Sequence, residues 1–177
     1  WDELLAEPLQ FATGDTMSSA ISDVRVDSLV KARWTQGYTE TADGQWLRCY
    51  SYYTPLCPDD YEGGIRFIPA PSGCVATALG QIVRHFEYPA SNVNLEPFTN
   101  TCKSNLVAVA LTTVSRNFDW SKMPYDPTQF TASQLTQSGY DKAIGGLLYD
   151  LGVYLGMQYT AGGSGAVGDS KGTCLFG

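Results

Sequence analysis

Hydrophobic side chains recur at steps of three and four residues in one segment of the chain. Between residues 74 and 86, the apolar positions with this spacing are Val75, Ala78, Leu79, Ile82 and Phe86. Side chains at these steps lie on one face of an α-helix. Ser72 is a plausible N-cap before the segment, and Pro89 ends it. The pattern therefore predicts a helix over 74–86 with one apolar face.

A second helix is predicted from about Asp141 to Leu151, where apolar residues again share one face and Gly152 is a natural stop. Two further segments carry weaker signals. Residues 107–114 fit either a strand or a helix, whereas residues 153–159 fit a strand.

Two tracts lack a sustained period. Residues 36–70 are rich in Tyr, Pro and Gly, which predicts long ordered loops. Residues 161–166 are rich in Gly, which predicts a loop that is flexible or that a ligand approaches closely.

The composition is that of a globular α+β chain. The 177 residues suit one domain or one large lobe, and 44% of them are hydrophobic. Aromatic residues reach 12% while charged residues are sparse at 16%, which argues against disorder. Residues 1–23 are acidic and polar, and we interpret them as an N-terminal extension or the tail of a pro-segment.

Charge and hydropathy exclude two classes of partner. The net charge is −7 and no basic stripe is visible, so we expect no nucleic-acid partner. The longest purely apolar run is Leu106 to Leu111, far shorter than the ~20 residues that span a bilayer. We therefore expect no membrane span.

The five cysteines favour a thiol function over a metal site. They are Cys49, Cys57, Cys74, Cys102 and Cys174. No pair has C-x-x-C spacing and the chain has one His, so we expect no zinc site. In an oxidising compartment an odd count leaves one thiol unpaired. Closeness in the sequence makes Cys49 and Cys57 the first candidates for a disulfide.

Cys74 would be a reactive thiol at the start of the first predicted helix. Unpaired N–H groups and the helix dipole place partial positive charge there, which favours the nucleophilic thiolate. The alternative is a small buried core residue. A nucleophilic Cys needs a base, usually His. His85 is the only His, and eleven residues along a helix separate it from Cys74 by roughly 16 Å. The chain therefore offers a candidate nucleophile without a base.

The residues around Cys74 resemble the nucleophile block of the streptopain family of bacterial cysteine peptidases. The matching block reads Ser72-Gly73-Cys74-Val75-Ala76-Thr77-Ala78, followed by Gln81-Ile82 and Tyr88-Pro89. Three further blocks agree in order: Trp34-Thr35-Gln36, Phe118-Asp119-Trp120 with Met123, and Leu147 to Tyr159 followed by Gly163-Ser164-Gly165-Ala166. The resemblance spans about residues 24–166.

The resemblance implies a papain-like α+β fold, with this chain supplying mainly the helical lobe. It implies a peptidase that forms an acyl-enzyme on Cys74 and stabilises the oxyanion with the side-chain amide of Gln36. Gly163, Ser164, Gly165 and Ala166 match a segment near the substrate cleft, although the same tract is also typical of a linker. No cofactor or metal is implied.

The resemblance also implies partners. In the streptopain family the catalytic His lies in a later β-rich lobe. Residues 24–177 would then be the N-terminal part of the peptidase domain, and the His would lie on a C-terminal fragment of the same precursor or on a second chain. Family members are secreted by bacteria as zymogens, which predicts a secreted or cell-surface location, protein or peptide substrates and an inhibitory pro-segment.

Some positions depart from the family pattern. The segment 37–58 is longer and contains Cys49 and Cys57, and Gly80 stands where the family has Ala. A different class of function also remains open, a non-catalytic secreted module that binds glycan or protein. Its contacts would come from the aromatic-rich loops around Trp46, Tyr50, Tyr52 and Tyr53.

Overall fold

The computed structural model describes residues 28–166, which form a mixed α+β structure of 30% helix and 27% strand. This confirms the α+β class, with strands contributing nearly as much as helices. The elements, in chain order, are β1 (Tyr38–Glu40), β2 (Trp46–Arg48), β3 (Leu56–Tyr61), β4 (Gly64–Pro69), α1 (Cys74–Phe86), β5 (Thr99–Ser104), β6 (Val107–Thr112), α2 (Ala132–Ser138), α3 (Tyr140–Tyr154), β7 (Met157–Thr160) and β8 (Gly163–Ala166). Two 3₁₀ turns, Trp120–Lys122 and Pro127–Gln129, precede α2. The boundary predicted at residue 23 lies outside the described residues.

Three sheets account for the strands. One has the order β6-β5-β7-β8, in which β5 and β7 are parallel and the other pairs are antiparallel. The other two are the hairpins β1–β2 and β3–β4. The prediction of long loops over 36–70 was therefore wrong. The residues of β4 are exposed or only half-buried, so burial does not alternate along the strand and leaves no period-2 signal in the sequence.

The first predicted helix is confirmed with the expected bounds, Cys74–Phe86. Its N-terminus differs from the prediction. The residue that precedes the helix is Gly73, with φ 90° and ψ 148°, and no side chain caps the helix. Ser72 is not the N-cap because its hydroxyl instead lies 3.1 Å from both the carbonyl of Gln36 and the hydroxyl of Thr77.

The apolar stripe of α1 is not its buried face. Val75 is 41% exposed, Ile82 46% and Phe86 71%. The helix buries small and polar residues instead, namely Ala76, Thr77, Gly80 and Arg84. The reason is the close approach of α1 to α3: a Cβ on Gly80 would run into the side chain of Leu148. Of the stripe, Leu79 is half-buried and the other four residues are exposed.

The second predicted helix is also confirmed, but it extends through Gly152 to Tyr154. Gly152 lies inside the helix and does not end it. A glycine is needed here because a Cβ would meet the ring and hydroxyl of Tyr159. The glycine thus serves the packing of α3 on β7. The strand predicted over 153–159 consequently begins only at Met157.

Two uncertain tracts resolve as strands. Residues 107–112 form β6, and the Gly-rich tract contributes β8 rather than a loop. In β8, Gly163 pairs with Thr160 and Ala166 pairs with Met157. Backbone hydrogen bonds to β7 thus order a segment whose composition favours a loop.

Two hydrophobic clusters hold these elements together. The first, between α1, α3 and the loops around them, includes Trp34, Cys49 and Leu147. The second, under the four-stranded sheet, includes Cys57, Cys102 and Tyr159. Cys49 and Cys57 belong to different clusters and both are free thiols, so the predicted disulfide between them is wrong. Within residues 28–166, no helix has the length and apolar character needed to cross a bilayer.

Candidate active site

Cys74 is the first residue of α1 and its side chain is exposed. The first intrahelical bond of this turn runs from the amide of Thr77 to the carbonyl of Gly73. The amides of residues 74–76 therefore have no partner within the helix and point out of its N-terminus. The thiol thus sits beside backbone donors at the positive end of the helix dipole.

The glycine before the thiol lets β8 approach the start of α1. Gly73 is buried and has a positive φ that L side chains rarely adopt. A Cβ at this position would lie 2.8 Å from the carbonyl oxygen of Ser164. Because only a hydrogen fits here, the backbone of β8 packs directly against the residue that precedes Cys74.

The structure places Gln36 and Cys74 on the wall of one open cavity of about 390 Å³. The cavity is lined by Trp34, Thr35, Gln36, Cys74, Thr77, Ala78 and Gln81. Gln36 is half-buried and lies in the loop before β1. Gln36 and Cys74, which are 38 positions apart in the sequence, thus line the same cavity.

The loop that carries Gln36 is anchored at both ends. The indole Nε1 of Trp34 donates to the carbonyl of Pro124 at 2.9 Å, and Trp34 is itself 5% exposed. After Gln36, the carbonyl of Gly37 accepts from the amide of Tyr50 at 3.1 Å. The cavity wall is therefore tied to the core on both sides of Gln36.

The tract Gly163–Ala166 lines a different cavity, also of about 390 Å³, together with Gln158 and Thr160. It does not share the cavity of Cys74, although Ser164 touches Gly73. The hydroxyl of Ser164 is buried and has no hydrogen-bond partner among the described residues. β8 therefore lies beside the residue that precedes Cys74, and its Ser164 hydroxyl is buried there without a partner among residues 28–166.

His85 does not belong to this cavity. It lies one residue before the end of α1, where its ring packs edge-on against Phe86 with centroids 4.8 Å apart. Within residues 28–166, no titratable side chain other than Cys74 lines the cavity. These residues therefore offer a thiol and hydrogen-bond donors, but no base.

The remaining described thiols are poor nucleophiles. Cys49, Cys57 and Cys102 are fully buried. Burial raises the pKa of Cys49 and that of Cys102, which keeps both protonated. Over residues 28–166, no group of three or more His, Cys, Asp or Glu side chains is arranged to hold a metal ion.

Residues 32–175 match the model of the Peptidase C10 family. The chain belongs to this family. It is the streptopain family, so the resemblance carried by the four sequence blocks is confirmed. No curated protein sequence matches the chain significantly.

A member of the C10 family is a cysteine peptidase, and its substrates are proteins or peptides. Family membership therefore favours an enzyme over a non-catalytic binding module. The aromatic residues proposed as the contacts of such a module also differ in exposure. Trp46 is 70% exposed, but Tyr50 is fully buried in the core.

Five residues on the cavity wall of this C10 peptidase were not singled out as site residues from the sequence, and three of them lie on α1. Thr77, Ala78 and Gln81 follow Cys74 at steps of three, four and seven along α1, so they lie on the same helix face as the thiol. The helical period counted from Cys74 would have found them.

Proposed function

We propose that this C10 peptidase cleaves peptide bonds through an acyl-enzyme on Cys74. The observation that carries the proposal is the exposed thiol at the start of α1, which shares one cavity with Gln36. The thiolate attacks the scissile carbonyl carbon, and the carbonyl π electrons move to oxygen. Collapse of the tetrahedral intermediate expels the amine, which takes a proton from the general acid. Water then hydrolyses the thioester and restores the thiol.

Gln36 and the backbone at Cys74 stabilise the oxyanion in this proposal. A side-chain amide N–H of Gln36 and the amide of Cys74 donate to the negative oxygen of the tetrahedral intermediate. Support comes from the position of Gln36 on the same wall as the thiol and from the amide of residue 74, which has no partner within the helix. The backbone of Gln36 is held by Ser72, and the Cys74 amide is part of α1, so both donors are carried on ordered backbone before the substrate arrives, which is what makes such donors effective.

The base in this proposal is a His supplied from outside this chain. A base must come within about 3 Å of the proton it takes. His85 follows Cys74 by eleven residues on the same continuous helix, which corresponds to roughly 16 Å. Since this is the chain's only His, the imidazole comes from a C-terminal fragment of the same precursor or from a second chain.

The wider architecture follows from the same proposal. α1 and the sheet beside it correspond to the nucleophile-bearing part of a papain-like fold, and the substrate backbone runs past Gly163–Ala166. The contact of Ser164 with Gly73 supports this path because it brings β8 beside the thiol. The enzyme is secreted or held at the bacterial cell surface, and a pro-segment keeps it inactive until cleavage.

The proposal is tested by Cys74→Ala in the full-length precursor, with hydrolysis of a fluorogenic peptide as the readout. Loss of an essential nucleophile lowers kcat by about 10³-fold or more. Cys102→Ala is the matched control, because that thiol is buried and lies outside the cavity. Hydrolysis that survives Cys74→Ala at the rate of the control would refute the role of Cys74.

A further inference from the structure

Three consecutive carbonyl groups of the loop that carries Gln36 are held by side chains at and near α1. The amide of Gln81 donates to the carbonyl of Trp34 at 3.4 Å. The hydroxyl of Thr77 lies 3.5 Å from the carbonyl of Thr35. These two contacts are long, and the third is much tighter.

The tight contact joins Ser72 to Gln36 twice. The amide of Ser72 donates to the carbonyl of Gln36 at 2.7 Å, and its hydroxyl reaches the same oxygen at 3.1 Å. Ser72 is fully buried, so water does not compete for these bonds. Gln36 is thereby fixed to the backbone two residues before Cys74.

Thr77 completes the link from inside the helix. Its hydroxyl lies 3.1 Å from that of Ser72 and 2.9 Å from the carbonyl of Gly73, and Thr77 is 6% exposed. Each hydroxyl has one proton to donate. The Thr77 proton has two close acceptors, the carbonyl of Gly73 and the hydroxyl of Ser72. When Thr77 donates to Ser72 and Ser72 donates to Gln36, each bond polarises the next.

We infer that Ser72 and Thr77 are positioning residues that set the Gln36 side chain at its working distance from the Cys74 thiol. The inference rests on the proposed oxyanion role of Gln36. Ser72 is fully buried, and Thr77 is 6% exposed on the cavity wall. They act through the backbone of Gln36, whose loop is otherwise hydrogen-bonded to α1, within residues 28–166, by the longer contacts of Gln81 and Thr77. A displacement of about 1 Å in a catalytic group can cost 10²-fold in rate.

The test uses Thr77→Val in the full-length protein, because valine keeps the shape of threonine and replaces the hydroxyl with a methyl group. Two rates are measured: kcat for a peptide substrate, and alkylation of Cys74 by iodoacetamide, which forms no oxyanion. We expect kcat to fall about tenfold or more with a smaller change in KM, and the alkylation rate to stay unchanged. Thr77→Ser should restore kcat, since it returns the hydroxyl.

Thr113→Val is the matched control. Thr113 is also buried and its hydroxyl also serves the backbone, at the amide of Phe98, but it bonds to neither α1 nor the loop of Gln36. We expect it to leave kcat unchanged. If Thr77→Val slows alkylation as much as it lowers kcat, it damages the start of α1 in general, and the inference is overturned.

Combination with Gln36→Ala separates the inference from the proposed function. In the Gln36→Ala background we expect Thr77→Val to cost nothing further in kcat, because the group it positions is gone. If the fold-losses in kcat of the two single variants multiply in the double variant, the two residues act independently and the inference is overturned. If Gln36→Ala alone leaves kcat normal, the oxyanion role itself fails. If Gln36→Ala lowers kcat while Thr77→Val does not, only the positioning role fails.

Discussion

Replacing Gly73 with alanine perturbs the fold directly beside Cys74. Gly73 has φ 90° and ψ 148°, close to a region of backbone conformation that is essentially restricted to glycine and costs other residues of order 1–3 kcal/mol. The new Cβ would also lie 2.8 Å from the carbonyl oxygen of Ser164, a backbone atom that cannot rotate away. Overpacking of this kind adds about 1–3 kcal/mol. We expect Gly73→Ala to lower the free energy of unfolding by about 2–6 kcal/mol in total, a large part of the ~5–15 kcal/mol of a typical domain.

Urea unfolding followed by tryptophan fluorescence measures this loss. Gly162→Ala is the matched control, because a Cβ at residue 162 meets nothing within 4 Å and its φ is not positive. We expect the control to change the free energy of unfolding by less than about 1 kcal/mol. Equal unfolding midpoints for the two variants would refute the contact between Gly73 and β8 on which the geometry beside Cys74 depends.

Two further predictions concern buried charge. Arg84 is 7% exposed, donates to the carbonyl of Met123 at 2.7 Å and stacks on the ring of Tyr125 at 4.0 Å. Arg84→Lys should therefore lower the free energy of unfolding by about 1–3 kcal/mol, whereas Arg33→Lys, at an exposed position, should leave it unchanged. Equal melting temperatures for the two variants would contradict this prediction. Burial raises the pKa of the Asp150 carboxyl, so the folded state holds that proton more tightly than the unfolded chain. The resulting stability is present below the ordinary carboxyl pKa of about 4 and is lost as pH rises through the folded pKa. The free energy of unfolding of the wild type, measured by urea unfolding, should therefore fall relative to that of Asp150→Asn as pH rises. A gap between the two proteins that does not change with pH would show that the pKa of Asp150 is not raised.

The bounds of α1 could be read from the sequence because they depend on local signals. The three- and four-residue spacing and the downstream Pro89 act within the helix or next to it. The same signals placed Cys74 in the first turn. The capping role of Ser72 could not be judged locally, because its hydroxyl is taken by Gln36, a residue 36 positions earlier.

Tertiary packing decided the features that the sequence pattern did not reveal or predicted wrongly. The apolar stripe on α1 stays largely exposed, because the small residue Gly80 is what allows α3 to come close on another face. Gly152 resembled a helix stop, yet it accommodates Tyr159 within α3. Glycine disfavours strands, yet pairing with β7 makes the glycine-rich β8 a strand. Each outcome depends on a partner far away in the sequence.

The pairing of Cys74 with Gln36 came from family resemblance and not from residue patterns. Nothing in the loop before β1 distinguishes Gln36 from a solvated polar residue. Its position on the cavity wall depends on Ser72 and on the anchoring of Trp34 to Pro124, which are contacts across 36 and 90 residues. Thr77 and Gln81, by contrast, could have been placed beside the thiol from helical periodicity alone.

Covalent trapping tests the role of Cys74 most directly. The full-length protein is treated with a peptidyl epoxide that reacts with thiols, and residual hydrolysis is measured alongside mass spectrometry of the labelled peptides. If Cys74 is the nucleophile, one adduct forms per chain, it maps to Cys74, and hydrolysis falls in proportion to its occupancy. Hydrolysis that persists when Cys74 is fully modified, or that disappears with an adduct on another cysteine while Cys74 stays free, would contradict the assignment.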